Sequence, residues 1–447
     1  MSKKNSYIRI AVAASLASSL LSGANPACPP KSPSASSAAT NQPAPKKSCW
    51  ECETLTGDWG GLRTQLGDKG FTLSASYTAE VFGNTGGDFQ HAVSDGLFGI
   101  CLDIDLEKLT GSWKNATIHT NMLYIYGTQP SVSSMGDLTS ISNIAGYNSV
   151  RLQELWLQQQ FFDRHFFVRA GLITADGYFF SADTACLFIN GTFGANPLVA
   201  NDLVDFPQYP TANPAVLLGF EPTKNFYFRT AVFGVNQNAN PAGNNAHGAY
   251  WDINKSDGAL LSFELGWLRN HEPDATEFVA TYKLGAFVQH GFYTTWQSQA
   301  ATALGVRNPS PVGTNYVVYG VIDHEIYKRD GRKISVFGRG GFAPSTYSTV
   351  SGYYDVGFNF SGFVQGRQGD LAGVAFAQSL LSKDFSDSQQ LQGGPAYTSQ
   401  MVIEATYKVQ ICPWWSIQPD LQYIVRPSGA QNSNNAFVVG LRTSIAF

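Results

Sequence analysis

From Phe71 to Val81 the side chains alternate between apolar and polar for eleven consecutive positions, Phe-Thr-Leu-Ser-Ala-Ser-Tyr-Thr-Ala-Glu-Val. A period of two is the mark of a β-strand with one apolar and one polar face. It returns from Ile100 to Leu106, where Cys101, Asp103 and Asp105 interleave with aliphatic residues. It returns again at the C-terminus, where Phe437, Val439, Leu441, Thr443, Ile445 and Phe447 share one face. No later stretch holds the roughly 18 apolar residues that a membrane helix needs. A chain of this pattern enters a membrane only as a closed barrel, because an open sheet edge leaves backbone groups unpaired in lipid.

Sixteen candidate strands follow, near 71–83, 97–106, 116–126, 151–161, 164–174, 215–221, 226–235, 259–268, 278–290, 315–327, 333–342, 353–361, 371–381, 399–411, 414–425 and 436–447. Most have the ten or so residues that a tilted strand needs to cross the hydrocarbon layer. The runs 151–161 and 215–221 alternate poorly. The connections 127–150, 175–214, 236–258, 291–314 and 382–398 are long and fall on one side, while 162–163, 222–225, 328–332 and 412–413 are short and fall on the other. Short periplasmic turns opposite long external loops characterise bacterial outer-membrane barrels, and a soluble β-sandwich has no reason to sort its loops this way. Sixteen strands enclose a lumen too wide for wall side chains to fill, so the polar face is expected inside and the apolar face toward lipid.

Composition agrees. Charged residues are only 14% of the chain, while Phe, Tyr and Trp number 30, 20 and 9 and Gly 44. Average soluble domains carry about a quarter charged residues. The net charge of −4 excludes a strongly basic nucleic-acid-binding protein.

The N-terminus reads as an export signal. Lys3, Lys4 and Arg9 precede the apolar run Ile10 to Leu21 and the small residues Ser22, Gly23 and Ala24. The expected organisation is a signal peptide over 1–24, a Pro/Ser/Ala-rich linker over 25–54, a helical segment over 55–70 and a barrel over 71–447. In the helical segment Asp58 is placed to cap, and Leu62 and Leu66 share a face. Six cysteines remain, Cys28, Cys49, Cys52, Cys101, Cys186 and Cys412. Cys49 and Cys52 have the spacing of a redox or zinc half-motif. With no second pair nearby, a local disulfide or two idle thiols is the simpler reading.

Five stretches carry a family resemblance, in order. They are Leu-Thr-Gly-Asp-Trp-Gly-Gly-Leu-Arg-Thr from Leu55, Leu102 to Leu109, Arg151 to Leu157, Phe179-Phe180 with Phe188 to Gly194, and Ile417 to Ile424 continuing through Val438 to Phe447. Together they resemble the carbohydrate-selective (glucose) porin family of Gram-negative outer membranes, over roughly residues 55–447. The resemblance implies a 16-stranded antiparallel transmembrane β-barrel for sugar uptake, with no enzymatic activity and no cofactor. The cysteine-bearing tail at 25–54 departs from the family.

A sugar pore needs polar groups that exchange hydrogen bonds with hydroxyls, and aromatic faces for the apolar side of the ring. Strand parity turns Glu80, Asp103, Asp105, His119, Asn121, Arg229, Glu264, Lys283, Glu404, Gln418, Asp420, Gln422 and Arg442 inward, with Glu154, Trp156, Gln158 and Arg169. A hydrated wall explains any one of them. Asp103, Asp105, Glu154, Trp156 and Arg169 stand out because they sit in family-like motifs on neighbouring strands. Asp103 and Asp105 lie about 7 Å apart on one face. That could serve a glycosidase pair, but an open lumen offers no walled pocket, so neither a catalytic nor a metal site is expected. The aromatic-rich stretch 175–214 is expected to pack over or into the barrel. Tyr124, Tyr126, Trp267, Trp414, Trp415 and Tyr423, at strand ends, read as membrane-interface belt residues.

The sequence therefore predicts passive diffusion of sugars, from mono- to oligosaccharides, through a water-filled outer-membrane pore. The alternative is a barrel plugged by loops or by its N-terminal segment, with a structural or surface role. The partners expected are the sugars, outer-membrane lipid and the barrel assembly machinery, which would read the terminal Phe447. No nucleic acid is expected, and a homo-oligomer is left open.

Overall fold

The structure, a computed structural model, describes residues 49–447 except 88–89, 129–135, 195–196, 237, 241, 254–256, 273–274, 292 and 307–312. The expected signal peptide, most of the linker and Cys28 lie outside the described residues.

Alternation is realised as sixteen strands among the described residues: β1 (Phe71–Gly86), β2 (Ala92–Asp105), β3 (Ala116–Gly127), β4 (Ser149–Phe161), β5 (Phe166–Ile173), β6 (Asn213–Thr223), β7 (Phe226–Gly234), β8 (Ala259–Arg269), β9 (Ala280–Gly291), β10 (Gly313–Arg329), β11 (Arg332–Phe342), β12 (Val350–Ser361), β13 (Leu371–Leu381), β14 (Ser399–Cys412), β15 (Trp415–Val425) and β16 (Ala436–Ala446). Each pairs antiparallel with its sequence neighbours, and β1 pairs with β16 from Ser76↔Ala446 to Gly86↔Ala436, closing the barrel. Closure removes the unpaired edges that lipid cannot satisfy. At the seam Glu80 faces Arg442 across the register, and the two side chains form a buried ion pair.

The short-turn rim uses minimal connections. Between β10 and β11, Asp330 and Gly331 both take left-handed backbone angles, the twist that lets a two-residue turn close a hairpin. Just outside the barrel, the expected helix forms over Leu62–Asp68, and Asp58 Oδ1 accepts the Thr64 backbone N–H at 2.9 Å. Leu55 N donates to Ala446 O at 2.8 Å, which ties this segment to the end of the last strand. Trp50 stacks on Trp414 in the β14–β15 turn at 5.7 Å. Cys101 is disulfide-bonded.

Outward positions are apolar and open: Val439, Leu441 and Leu284 are 50%, 46% and 65% exposed, while Val438 beside them is 0% exposed on the inner face. Tyr124, Trp267 and Tyr423 stand exposed on the same outer surface. This is the surface that a hydrocarbon layer covers.

The inner face departs from the expectation of a uniformly polar lumen. Phe233, Leu260, Phe287, Val317, Tyr319, Val321, Phe337, Ala375 and Ala377 point inward and are buried. They are covered by residues 174–212, the connection between β5 and β6, which folds into the barrel. Phe179, Phe180, Phe188, Ile189, Phe193, Val199, Leu203 and Phe206 of that segment join the inner wall in one apolar cluster. The void argument assumed that wall side chains alone fill the lumen, and here a loop fills part of it. The two poorly alternating runs have separate causes. In β6 the inward Ala215 and Leu217 face the inserted loop and are therefore apolar. In β4 a bulge between Leu152 and Glu154 switches the inward set from Arg151 and Gln153 to Glu154, Trp156 and Gln158.

Candidate pore constriction

The inserted segment carries polar backbone into the lumen, and each buried amide needs a partner. Inward carboxylates supply the acceptors. Glu154 accepts Thr174 N at 3.0 Å, Glu264 accepts Phe180 N at 3.0 Å, Asp323 accepts Thr184 N at 2.8 Å, and Glu404 accepts Ile189 N and Asn190 N at 2.6 and 2.9 Å. Wall donors satisfy the carbonyls. Lys283 Nζ binds Ser181 O at 2.8 Å, Gln418 binds Leu187 O at 2.8 Å, and Arg339 Nη2 binds Thr192 O at 2.8 Å while paired to Asp355. Much of the inward charge read from strand parity therefore holds this loop. Residues 136–148, between β3 and β4, meet it from the other side, with Asn143 N donating to Ile189 O at 2.7 Å and Gly191 N to Ser140 O at 2.8 Å.

Where the loop leaves β5, four of the five singled-out residues come together. Asp103 Oδ1 lies 2.8 Å from His119 Nδ1, and His119 Nε2 lies 3.9 Å from Glu154 Oε2. The His119 ring stacks on Trp156 at 4.8 Å and 18°. The Arg169 guanidinium sits 3.8 Å over the same indole and 4.6 Å from the Tyr178 ring, within the range of cation–π attraction. The β4–β5 register explains the stack. Trp156 is directly opposite Gly171, which has φ +145, and a Cβ there would lie 2.7 Å from Trp156 Cα and 2.1 Å from Leu155 O. Only glycine admits this approach.

Two details differ from the simplest sequence reading. Glu154 and Arg169 are not each other's partners, since Glu154 receives Thr174 and Arg169 donates from Nε and Nη2 to Gln158 Oε1 at 3.1 and 2.6 Å. An imidazole and a guanidinium cover the Trp156 ring, so its faces are taken up within the protein. Asp105 stands apart. It caps the short helix Leu106–Thr110 at the short-turn rim, accepting Glu107 N at 3.0 Å and Lys108 N at 3.2 Å.

Several buried donors here lack a hydrogen-bond partner among the described residues: Trp156 Nε1, Arg169 Nη1 and, on β7, Arg229 Nε. Arg169, Arg229 and Lys283, inward on alternate strands β5, β7 and β9, have no carboxylate partner among the described ion pairs, unlike Arg339 and Arg442. This part of the inner wall therefore carries cationic side chains that bind the inserted loop's carbonyls rather than carboxylates. Strand parity turned Gln158 inward, but its bond to Arg169 and the contact of the loop residue Tyr178 with Arg169 depend on neighbours that no strand pattern shows. Among the described residues, no group of three His, Cys, Asp or Glu is arranged to hold a metal ion.

A closed barrel with an apolar outer belt, narrowed from inside by a loop and lined there with donors and carboxylates, defines an outer-membrane porin. Residues 90–447 match the carbohydrate-selective porin, OprB family, and the chain belongs to that family. It is similar to Porin B of Pseudomonas aeruginosa, with 24% identity over 88% of this chain and 91% of that one. Its fold is similar to OprB of Pseudomonas putida in a high-pH structure, with TM-score 0.80 and 23% identity over 89% of this chain and 99% of that one. The low-pH structure of the same protein matches at TM-score 0.56 and 18% identity over the same shares. The chain is thus a sugar porin of the outer membrane, in a family of channels rather than enzymes.

Proposed function

We propose that glucose and similar neutral sugars diffuse passively past the Asp103–His119–Glu154–Trp156–Arg169 patch, between the wall and the inserted loop. The observation that supports this reading is the Asp103–His119 pair, 15% and 12% exposed, which lies beside Glu154 and stacks on Trp156 and so offers an acceptor and an N–H to a sugar hydroxyl. The protein catalyses no reaction in this reading and uses no cofactor. Its remaining contacts are outer-membrane lipid and the barrel assembly machinery, and residues 1–24 act as the export signal.

The test is ion current in a planar bilayer with and without glucose. Arg169→Gln and Trp156→Ala should each weaken glucose block about tenfold, the scale of one charged hydrogen bond for the first and of one aromatic contact for the second. Bulk ion conductance should change much less. A wild-type protein silent in the bilayer favours the plugged-barrel alternative. A sugar response that survives both substitutions overturns the patch as the selective element.

A further inference from the structure

A second cavity lies away from this patch, at the long-loop rim. It has a volume of 440 Å³ and is built entirely from connections: the end of the inserted loop, the β9–β10 loop and the β11–β12 loop. Its chemistry rests on Asp202, Asp205, Tyr293, Trp296, Gln299 and Tyr347. The volume falls within the range of small-molecule sites, about 300–1,000 Å³. Among the described residues, no lysine, arginine or histidine lines it.

The lining is fixed in place. Trp296 begins the helix Trp296–Ala303, donates Nε1 to Ser348 O at 3.1 Å, and packs edge-on against Phe385 at 4.9 Å. Phe385 belongs to the helix Lys383–Leu391 of a fourth loop, between β13 and β14. Tyr293 and Tyr347 meet at 5.7 Å. Asp202 Oδ2 accepts Val350 N at 2.9 Å, and Asp205 Oδ2 accepts Asn236 N and Asn213 Nδ2, both at 2.9 Å. The floor is pinned as well, because Val204 exchanges hydrogen bonds with Gln289 through both its N–H and its carbonyl, at 2.7 Å each. A site held this way loses little conformational freedom on binding.

We propose that this cavity is an entry subsite that captures a neutral pyranose or short oligosaccharide before it reaches the constriction. Aromatic rings suit the apolar face of a pyranose, and carboxylate and amide groups suit its hydroxyls. At neutral pH two carboxylates with no cation among the described lining residues disfavour an anionic solute, so sugar acids bind here less well than neutral sugars. The proposal rests on the reading of the chain as a sugar channel and adds a binding site outside its narrow passage.

The full chain, purified in detergent, is titrated calorimetrically with glucose, maltose and gluconate. Trp296→Ala and the milder Gln299→Ala should each weaken glucose or maltose binding by roughly fivefold, the scale of one stacking or hydrogen-bonding contact. Gluconate should bind less well than either. Glucose binding should persist when Arg169→Gln impairs the constriction, and fall further when Trp296→Ala is added. If both rim variants bind sugar as the wild type does, the entry subsite is wrong while the channel reading stands. Weakening by Trp296→Ala with none by Gln299→Ala means that Trp296 only holds the loops together, which also overturns the subsite. Equal binding of gluconate at the rim overturns the neutral-sugar class. Absence of any sugar effect on wild-type current sinks the channel reading and this proposal with it.

Discussion

Asp176 and Asp205 stand near the two ends of the inserted loop. Asp176 accepts Tyr209 N at 2.8 Å and Asp205 accepts Asn236 N at 2.9 Å. Burial pushes both carboxyls up to about 6 against an ordinary value near 3.8, more than these hydrogen bonds hold them down. The folded protein therefore binds protons that the unfolded chain does not between about pH 6 and pH 4, and stability rises as pH falls through that window. Heat-dependent gel mobility of the folded barrel should show a gain on going from pH 7 to pH 4.5. Asp176→Asn with Asp205→Asn keeps an acceptor oxygen at each site and should flatten that gain. An unchanged pH dependence in the double variant would show that other groups set it. At the same scale, Trp156 illustrates how a side chain's role depends on its neighbours, since His119 and Arg169 take up its faces within the protein.

The element that fills part of the lumen is the connection between β5 and β6. Its apolar residues match an inner wall that would otherwise expose Phe233, Phe287 and Phe337 to water. Its amides are met by carboxylates from four strands, so it is fixed at several points rather than laid over the opening. Glu404 holds two successive amides, Ile189 N and Asn190 N. Glu404→Ala should leave these unpaired at a cost of about 1–3 kcal/mol each. The expected outcome is a looser loop, seen as larger and noisier single-channel conductance with the barrel still assembled. Conductance identical to wild type would mean that the apolar cluster alone positions the loop.

For the whole molecule, the division between lipid face and lumen sets stability. Val439, 50% exposed on the outer face, belongs to hydrocarbon. Val439→Arg should cost roughly 2–4 kcal/mol in denaturant unfolding from bilayers, the value for a cation at the membrane midplane. Ser335→Arg, on the inner face of β11, should cost far less and alter ion conductance instead; equal losses would contradict this assignment of faces. Phe447 closes the seam, with its N–H on Ala75 O at 2.9 Å and its ring edge-on to Phe98 at 6.0 Å. Deleting it should lower the amount of barrel assembled in cells without changing the current through surviving channels. Unreduced assembly would exclude Phe447 as the recognised end.

Period-two alternation and the sorting of loop lengths were enough to read sixteen strands, their order and which face meets lipid. The reason is that a strand's side chains are forced to alternate and lipid tolerates neither an open edge nor outward charge. Glu80, Glu264 and Arg442 could be assigned to the lumen from parity alone. What they do there could not, because their partners lie far away in sequence: Glu264 waits for Phe180, Glu404 for Ile189, and Glu80 for Arg442 and Ser142. The bulge at Gln153, the covering of Trp156 and the capping role of Asp105 likewise depend on register and on neighbours across strands. The rim cavity is the extreme case, since three loops with no shared periodicity build it. Local periodicity determined the wall, and only long-range packing of a loop against that wall decided the shape and chemistry of the passage.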